Sequence, residues 1–254
     1  MLAGCAKHYR VAGLVIQANP AQRTMLVSHR PIDHYMPAMT MPFHVGPKED
    51  FSKLVPGARV DFDLRIGKHE SIARNVRVGT TKLDYPVPQP TNKLAIGAPV
   101  PDFSLTDQAG RAVRLSDFSG RVVAIDFIYT RCPLPDVCPR LSASFAYVAK
   151  RVPDATLLSI TIDPQYDTSA VLGEYGRRYG SDGERWRFLT GTMDQIRDVA
   201  GLFGLIYWPE DGSITHSVTT GVIGRDGKLV ALIEGSSFRP EQLRDLVQHE
   251  VDKR

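Results

Sequence analysis

The chain has 254 residues, 43% hydrophobic and 23% charged, and no apolar run approaches the ~20 residues that a membrane-spanning helix needs. This is the composition of a soluble globular protein with material for one large or two smaller domains. The net charge of +3 is uneven: residues 1–80 carry 11 Lys/Arg against 6 Asp/Glu (+5) and residues 81–254 carry 20 against 22 (−2), and an excess of +5 without a basic run predicts no nucleic-acid partner.

Alternating apolar positions recur in chain order at Tyr9–Ala18, Thr24–Ser28, Met39–Val45, Arg59–Ile66 and Ser71–Val78, with Asn19-Pro20, Pro56-Gly57 and Gly67-Lys68 as turn signals between several of them. Five short strands without a helical period predict a small all-β barrel of the OB type. Pro86, Pro88 and Pro90 then stand at every second position of an extended stretch, which reads as a stiff linker. Beyond it, strands are predicted at Val122–Tyr129, Ala155–Asp163, Val218–Ile223 and Leu229–Ile233, alternating with helices at Pro139–Arg151, Thr168–Tyr179, Met193–Phe203 and Pro240–His249. Gly224-Arg225-Asp226-Gly227 turns the last two strands into a hairpin, and the alternation predicts an α/β domain. The expected division is an N-terminal remnant at 1–8, a barrel at 9–79, a linker at 80–94 and an α/β domain at 95–254.

The chain holds three cysteines, Cys5 apart from the close pair Cys132 and Cys138. Met1-Leu2-Ala3-Gly4-Cys5 resembles the end of a bacterial lipoprotein signal, which would make Cys5 a lipidation site and a lipid anchor the sole membrane attachment. The alternative is a frayed terminus with an idle cysteine. Cys132 and Cys138 follow a buried-looking strand and precede a helix, at the strand end where open α/β sheets place their chemistry. Pro139 predicts Cys138 as the helix N-cap, where the helix dipole and the neighbouring Arg131 and Arg140 favour a thiolate.

Ile96-Gly97-Ala98-Pro99-Val100-Pro101-Asp102-Phe103 followed by Leu115-Ser116-Asp117-Phe118-Ser119-Gly120 resembles the entry to thioredoxin-like redoxins. The cysteine loop, Asp163-Pro164-Gln165-Tyr166-Asp167-Thr168 and Thr215-His216-Ser217 narrow the resemblance to the Sco/SenC family of copper proteins. It implies a thioredoxin-like fold, copper ligands at Cys132, Cys138 and His216, and Asp163 beside the site. The implied partners are a thiol reductant protein and a copper-receiving protein such as a cytochrome oxidase subunit. The chain departs from the family in the five residues, Pro133–Val137, between its cysteines, where three are usual. Soft Cu(I) accepts two thiolates and an imidazole, Cu(II) is the second state open to this ligand set, and the same thiols can close into a disulfide. They are therefore also the redox pair of the rival reading, an enzyme of the thiol–disulfide oxidoreductase class.

Three of the six methionines fall within Met36–Met41. Met39 and Met41 share one face of a strand, where they either fill the barrel core or, with histidine, hold Cu(I) in an oxidising compartment. His29-Arg30-Pro31-Ile32 followed by Met36-Pro37-Ala38-Met39-Thr40-Met41-Pro42-Phe43 resembles the periplasmic CusF-type copper and silver chaperones. Carried over, the ligands are His29, Met39 and Met41. Met36 stands where the family has a capping Trp, so it is either a further ligand or a lid. Both resemblances point to a copper chaperone of the periplasm or cell envelope. A passive copper-resistance buffer is the other outcome of the same ligands.

Overall fold

The computed structural model describes residues 7–36, 39–55, 57–67, 71–79, 92–210, 213–236 and 238–253. Cys5 and residues 80–91 of the Pro-rich stretch lie outside the described residues, as do the side chains of Gln17, Met39, Thr40, Trp208, Pro209, Glu210, Ser213 and Thr215. Two compact units form, one built chiefly before and one chiefly after that stretch.

The first unit is a closed barrel of β1 (Lys7–Asn19), β2 (Thr24–His29), β3 (Met39–Val45), β4 (Arg59–Ile66) and β5 (Ser71–Val78), in the order β1-β2-β3-β5-β4. Alternation drives closure: Val11, Met25, Val27, Phe43, Val60, Phe62, Leu64 and Ala73 turn inward to one buried cluster. β1 serves two partners, β2 and β4, and a register shift between Val15 and Gln17 lets one long strand bend between them. Gly13 is the crossing point, opposite both His29 and Val60. A Cβ on Gly13 would lie 2.4 Å from the Ser28 carbonyl oxygen and 2.8 Å from the His29 Cα, so only glycine permits that approach.

The second unit continues with β6 (Ser104–Asp107), β7 (Ala112–Arg114), β8 (Val122–Ile128), α1 (Cys138–Arg151), β9 (Ala155–Thr161), α2 (Ser169–Tyr179) and β10 (Trp186–Thr190). The chain then runs through α3 (Met193–Leu202), β11 (Tyr207–Glu210), β12 (Ser213–His216), β13 (Thr219–Ile223), β14 (Leu229–Glu234) and α4 (Pro240–Asp252). Seven strands form one sheet in the order β14-β13-β8-β9-β10-β6-β7, while β11 and β12 pair separately. β8 and β9 are buried at all seven positions of each, as strands are when both faces of a sheet are covered, and β8, β9 and β10 run parallel. Helix ends follow side-chain capping in α2 and α3: Thr168 accepts from the Val171 N–H, and Thr192 and Gln195 cap each other reciprocally.

The short strands β6, β7, β10, β11 and β12 were absent from the sequence expectation. Each has three to five residues, too few for alternation to show. The expected N-cap at Cys138 is also corrected. α1 begins at Cys138 with Val137 as its N-cap, which makes no side-chain capping bond, and Pro139 occupies the second helical position, where its missing N–H is equally harmless.

Candidate metal centres

In the second unit the parallel strands carry their loops to one sheet edge. β13 is antiparallel to β8, with Thr220 opposite Asp126 and Ile223 opposite Val123, so its leading residues return to the carboxyl end of β8. The loop after β8 carries Cys132, α1 opens on Cys138, and His216 closes β12 just before β13. One ligand atom from each of Cys132, Cys138 and His216 lies within 4.8 Å of the others. Cys132 is half-buried, Cys138 fully buried and His216 5% exposed. Both cysteines are thiols rather than a disulfide.

The five-residue spacing closes because the extra residues form a turn. The Val137 N–H donates to the Leu134 carbonyl at 3.1 Å across Pro135-Asp136, and the Ser236 hydroxyl donates to the Asp136 carbonyl at 2.8 Å. The Cys132 N–H donates to the Tyr129 carbonyl at 3.2 Å, which folds the sulfur back toward the helix start. Tyr129 also reaches the other wall, its hydroxyl donating to the Ile214 carbonyl at 3.3 Å.

The two histidines are oriented alike. His216 Nδ1 lies 2.6 Å from the Ser217 carbonyl oxygen and His29 Nδ1 lies 2.7 Å from that of Arg30, and a carbonyl there fixes the proton on Nδ1. Nε2 is then the lone-pair atom in each, the orientation that a metal-binding imidazole needs. His29 is fully buried and its Nε2 has no hydrogen-bond partner among the described residues. A buried polar atom left without a partner costs free energy unless something else binds it. Burial lowers the His29 pKa from its ordinary value, against the opposing Arg30 hydrogen bond, which favours the neutral ring.

By register, His29 stands opposite Met39 and Val27 opposite Met41 in the β2–β3 ladder. Met41 is half-buried against the core cluster, and Phe43 meets the His29 ring edge-on with centroids 5.6 Å apart. Met36 packs against the same cluster, its backbone held to Ile32 by the Ile32 N–H to Met36 O bond at 2.8 Å and the Met36 N–H to Ile32 O bond at 3.1 Å. His34, at φ +57°, and His44 are exposed.

The expected thiolate at Cys138 is corrected. Burial pushes the Cys138 thiol well up, with the adjacent Cys132 adding to it, so desolvation outweighs the helix dipole. Arg131 is also committed elsewhere: its Nε donates to Asp163 at 2.6 Å, its guanidinium lies 4.8 Å over the Tyr166 ring, and the Asp163 bond raises its pKa. Asp163, 6% exposed, thus sits beside the loop that carries Cys132.

Two buried acids escaped the sequence reading. Asp126 on β8 is fully buried, and neither carboxylate oxygen has a partner in hydrogen-bond geometry among the described residues. Burial raises its pKa to about 7, opposed in part by the neighbouring Ser159 hydroxyl. Asp167 accepts from the Thr130 N–H at 3.0 Å, the Thr130 hydroxyl at 2.5 Å and the Thr161 hydroxyl at 2.6 Å. Its pKa is raised by burial, with those donors opposing. An acid inside an otherwise apolar strand, as in Val122–Ile128, is the signal that could have marked Asp126.

Residues 92–252 match the SCO1/SenC family, and residues 8–77 match the family described as copper binding periplasmic protein CusF. The chain is 30% identical over 169 residues to the human mitochondrial protein SCO1 homolog, covering 62% of this chain and 54% of that one, so it spans about half the length of that relative. Among solved structures it is similar to a SCO1/SenC family lipoprotein from Bacillus anthracis str. Ames, with TM-score 0.56 and 25% identity over 61% of this chain and 95% of that one. It is also similar to Arabidopsis thaliana ScoI with copper bound, with TM-score 0.51 and 27% identity over 62% and 98%. The C-terminal part therefore has the Sco thioredoxin-like fold, and the N-terminal part is a five-stranded barrel that the CusF match covers but for its first and last strand residues.

Proposed function

Because the chain belongs to the SCO1/SenC family, we propose that it is a copper metallochaperone of the cell envelope with two Cu(I) sites. Cys132, Cys138 and His216 form one site, with Asp163 at its edge. His29, Met39 and Met41 form the other on an OB-type barrel at 9–79, and Met36 is a third thioether or the lid. The linker at 80–94 keeps the 95–254 domain at high effective concentration to the barrel and favours transfer between them. The client is the copper centre of a cytochrome c oxidase, a thiol reductant protein keeps the cysteines open, and Cys5 is the lipid attachment point. Copper is cargo here, Cu(I) in the barrel and Cu(I) or Cu(II) at the cysteines.

The observation that carries this reading is the convergence of two sulfurs and one imidazole within 4.8 Å, a soft donor set of the kind Cu(I) prefers. It is supported by the buried Nε2 of His29, without a hydrogen-bond partner among the described residues, on a strand position whose register partner is Met39. The rival oxidoreductase reading draws on the same close thiols, but their five-residue separation is wider than the Cys-x-x-Cys common in such redoxins.

The test is an anaerobic Cu(I) titration of the full chain against a competing chelator. The expectation is two tightly held equivalents, falling to one in Cys132→Ser/Cys138→Ser and to one in Met39→Leu/Met41→Leu. His216→Ala should weaken only the cysteine site, by about tenfold or more, equivalent to 1.4 kcal/mol. Unchanged stoichiometry in the double cysteine variant would overturn the reading.

A further inference from the structure

A carboxylate taken out of water is costly unless hydrogen bonds replace its hydration. Asp167 is fully buried, and its three donors come from the ends of two neighbouring strands. Thr130 follows the last residue of β8 by two and precedes Cys132 by two, while Thr161 is the last residue of β9. The Thr161 hydroxyl in turn accepts from the Asp163 N–H at 2.9 Å, and the Asp167 N–H donates to the Asp163 carbonyl at 2.8 Å. One carboxylate therefore joins the base of the cysteine loop to the base of the loop that carries Asp163. These loops are remote in sequence and adjacent in the sheet. The Arg131–Asp163 pair links the same two loops farther out, where Arg131 is 45% exposed and solvent weakens it. The inner link at Asp167 is shielded from solvent.

We propose that Asp167 is a positioning residue for Cys132: its carboxylate fixes Thr130, and with it the loop, so that the Cys132 sulfur stays within reach of Cys138 and His216 in the reduced, metal-free protein. This rests on reading those three residues as one centre. It assigns Asp167 no contact with copper.

The test uses the full chain in a Cys5→Ala background, equilibrated with glutathione disulfide. Cys132 and Cys138 lose two protons and two electrons as their S–S bond forms, and glutathione disulfide takes them up as its own S–S bond breaks to give two glutathione thiols. The equilibrium constant reports how closely the two sulfurs are held. Asp167→Asn and Thr130→Val should each lower it by about tenfold, the effect of losing a hydrogen bond to a charged group, and Thr130→Ser should restore it. Cu(I) affinity should fall in parallel at the cysteine site and stay unchanged in the Met/His barrel. A lowered melting temperature with an unchanged glutathione constant would show a merely structural role and overturn the proposal. If Asp167→Asn does not fold, the Thr130→Val and Thr130→Ser pair decides alone. A shifted constant in a protein that binds no copper at the cysteines would uphold the positioning role and sink the copper reading, so the two fail separately.

Discussion

Met39 lies directly opposite His29 in the β2–β3 ladder, and the next same-face pair is Met41 with Val27. Met41 packs against the cluster that holds Phe43 and Phe62, and Phe43 meets the His29 ring edge-on. A binding function for the methionines and a packing function make different demands on sulfur. Met39→Leu keeps the volume and removes the thioether, so it should cost less than about 1.5 kcal/mol in urea unfolding. The same variant should weaken Cu(I) capture by the barrel about tenfold or more in chelator competition, a 1.4 kcal/mol effect. Equal affinity in the variant would assign Met39 to packing.

Gly13 backs directly onto His29. A methyl group there meets the Ser28 carbonyl and the His29 Cα, both backbone, so the strands must separate. Gly13→Ala should destabilise the barrel by about 1–3 kcal/mol, as overpacking does. It should also weaken Cu(I) binding in the barrel while leaving the cysteine site at its original affinity. Thermal unfolding and chelator competition on the same sample check both halves.

His29 gives the barrel a pH dependence of known sign. Its folded pKa is lowered from 6.5 by burial, so the unfolded chain takes up the proton first as the medium is acidified. The stability that the neutral ring contributes is fully present above pH 6.5 and is lost as the pH falls through the lowered folded value. Chemical denaturation between pH 7.5 and 4.5 should show this loss as a difference between the natural chain and His29→Leu. A difference that does not vary with pH would contradict the burial seen for this ring.

Asp126 acts in the opposite direction. Its folded pKa is raised from 3.8 to about 7, so the unfolded state ionises first and stability is lost as pH rises between those values. At 1.36 kcal/mol per unit, the loss amounts to at most about 4 kcal/mol above pH 7. Asp126→Asn should remove that slope. Its stability relative to the natural chain should improve steadily from pH 4 to pH 7, as measured by urea unfolding at fixed ionic strength.

How much was legible in the sequence depended on the length scale of the signal. β3, β4 and β5 fall on the predicted residues because alternation over seven or eight positions leaves little choice of register. The helices capped by Thr168 and Thr192 were equally clear at their starts. β10, β11 and β12 were not, since strands of four or five residues owe their existence to neighbours in the fold. The residues that converge at the cysteine site were readable from their motifs, whereas the state of Cys138 was not: local sequence reports the helix dipole, and only the packed structure reports the burial that outweighs it. Asp167 was quoted within a motif, yet its link to Thr130 spans 37 residues and has no local signature.

The raised Cys138 pKa and the neutral, carbonyl-locked imidazole of His29 give the two proposed sites different proton stoichiometries. Loading a site of thioethers and a neutral imidazole displaces no proton. Loading the cysteine site must expel the Cys138 proton, because thiolate is the coordinating form. If the proposed ligand sets hold, passage of Cu(I) from barrel to cysteines acidifies its surroundings, and acid in turn drives the ion back. The partition of a single copper ion along one polypeptide would then follow the pH of the compartment, with no change in redox state and no second protein required.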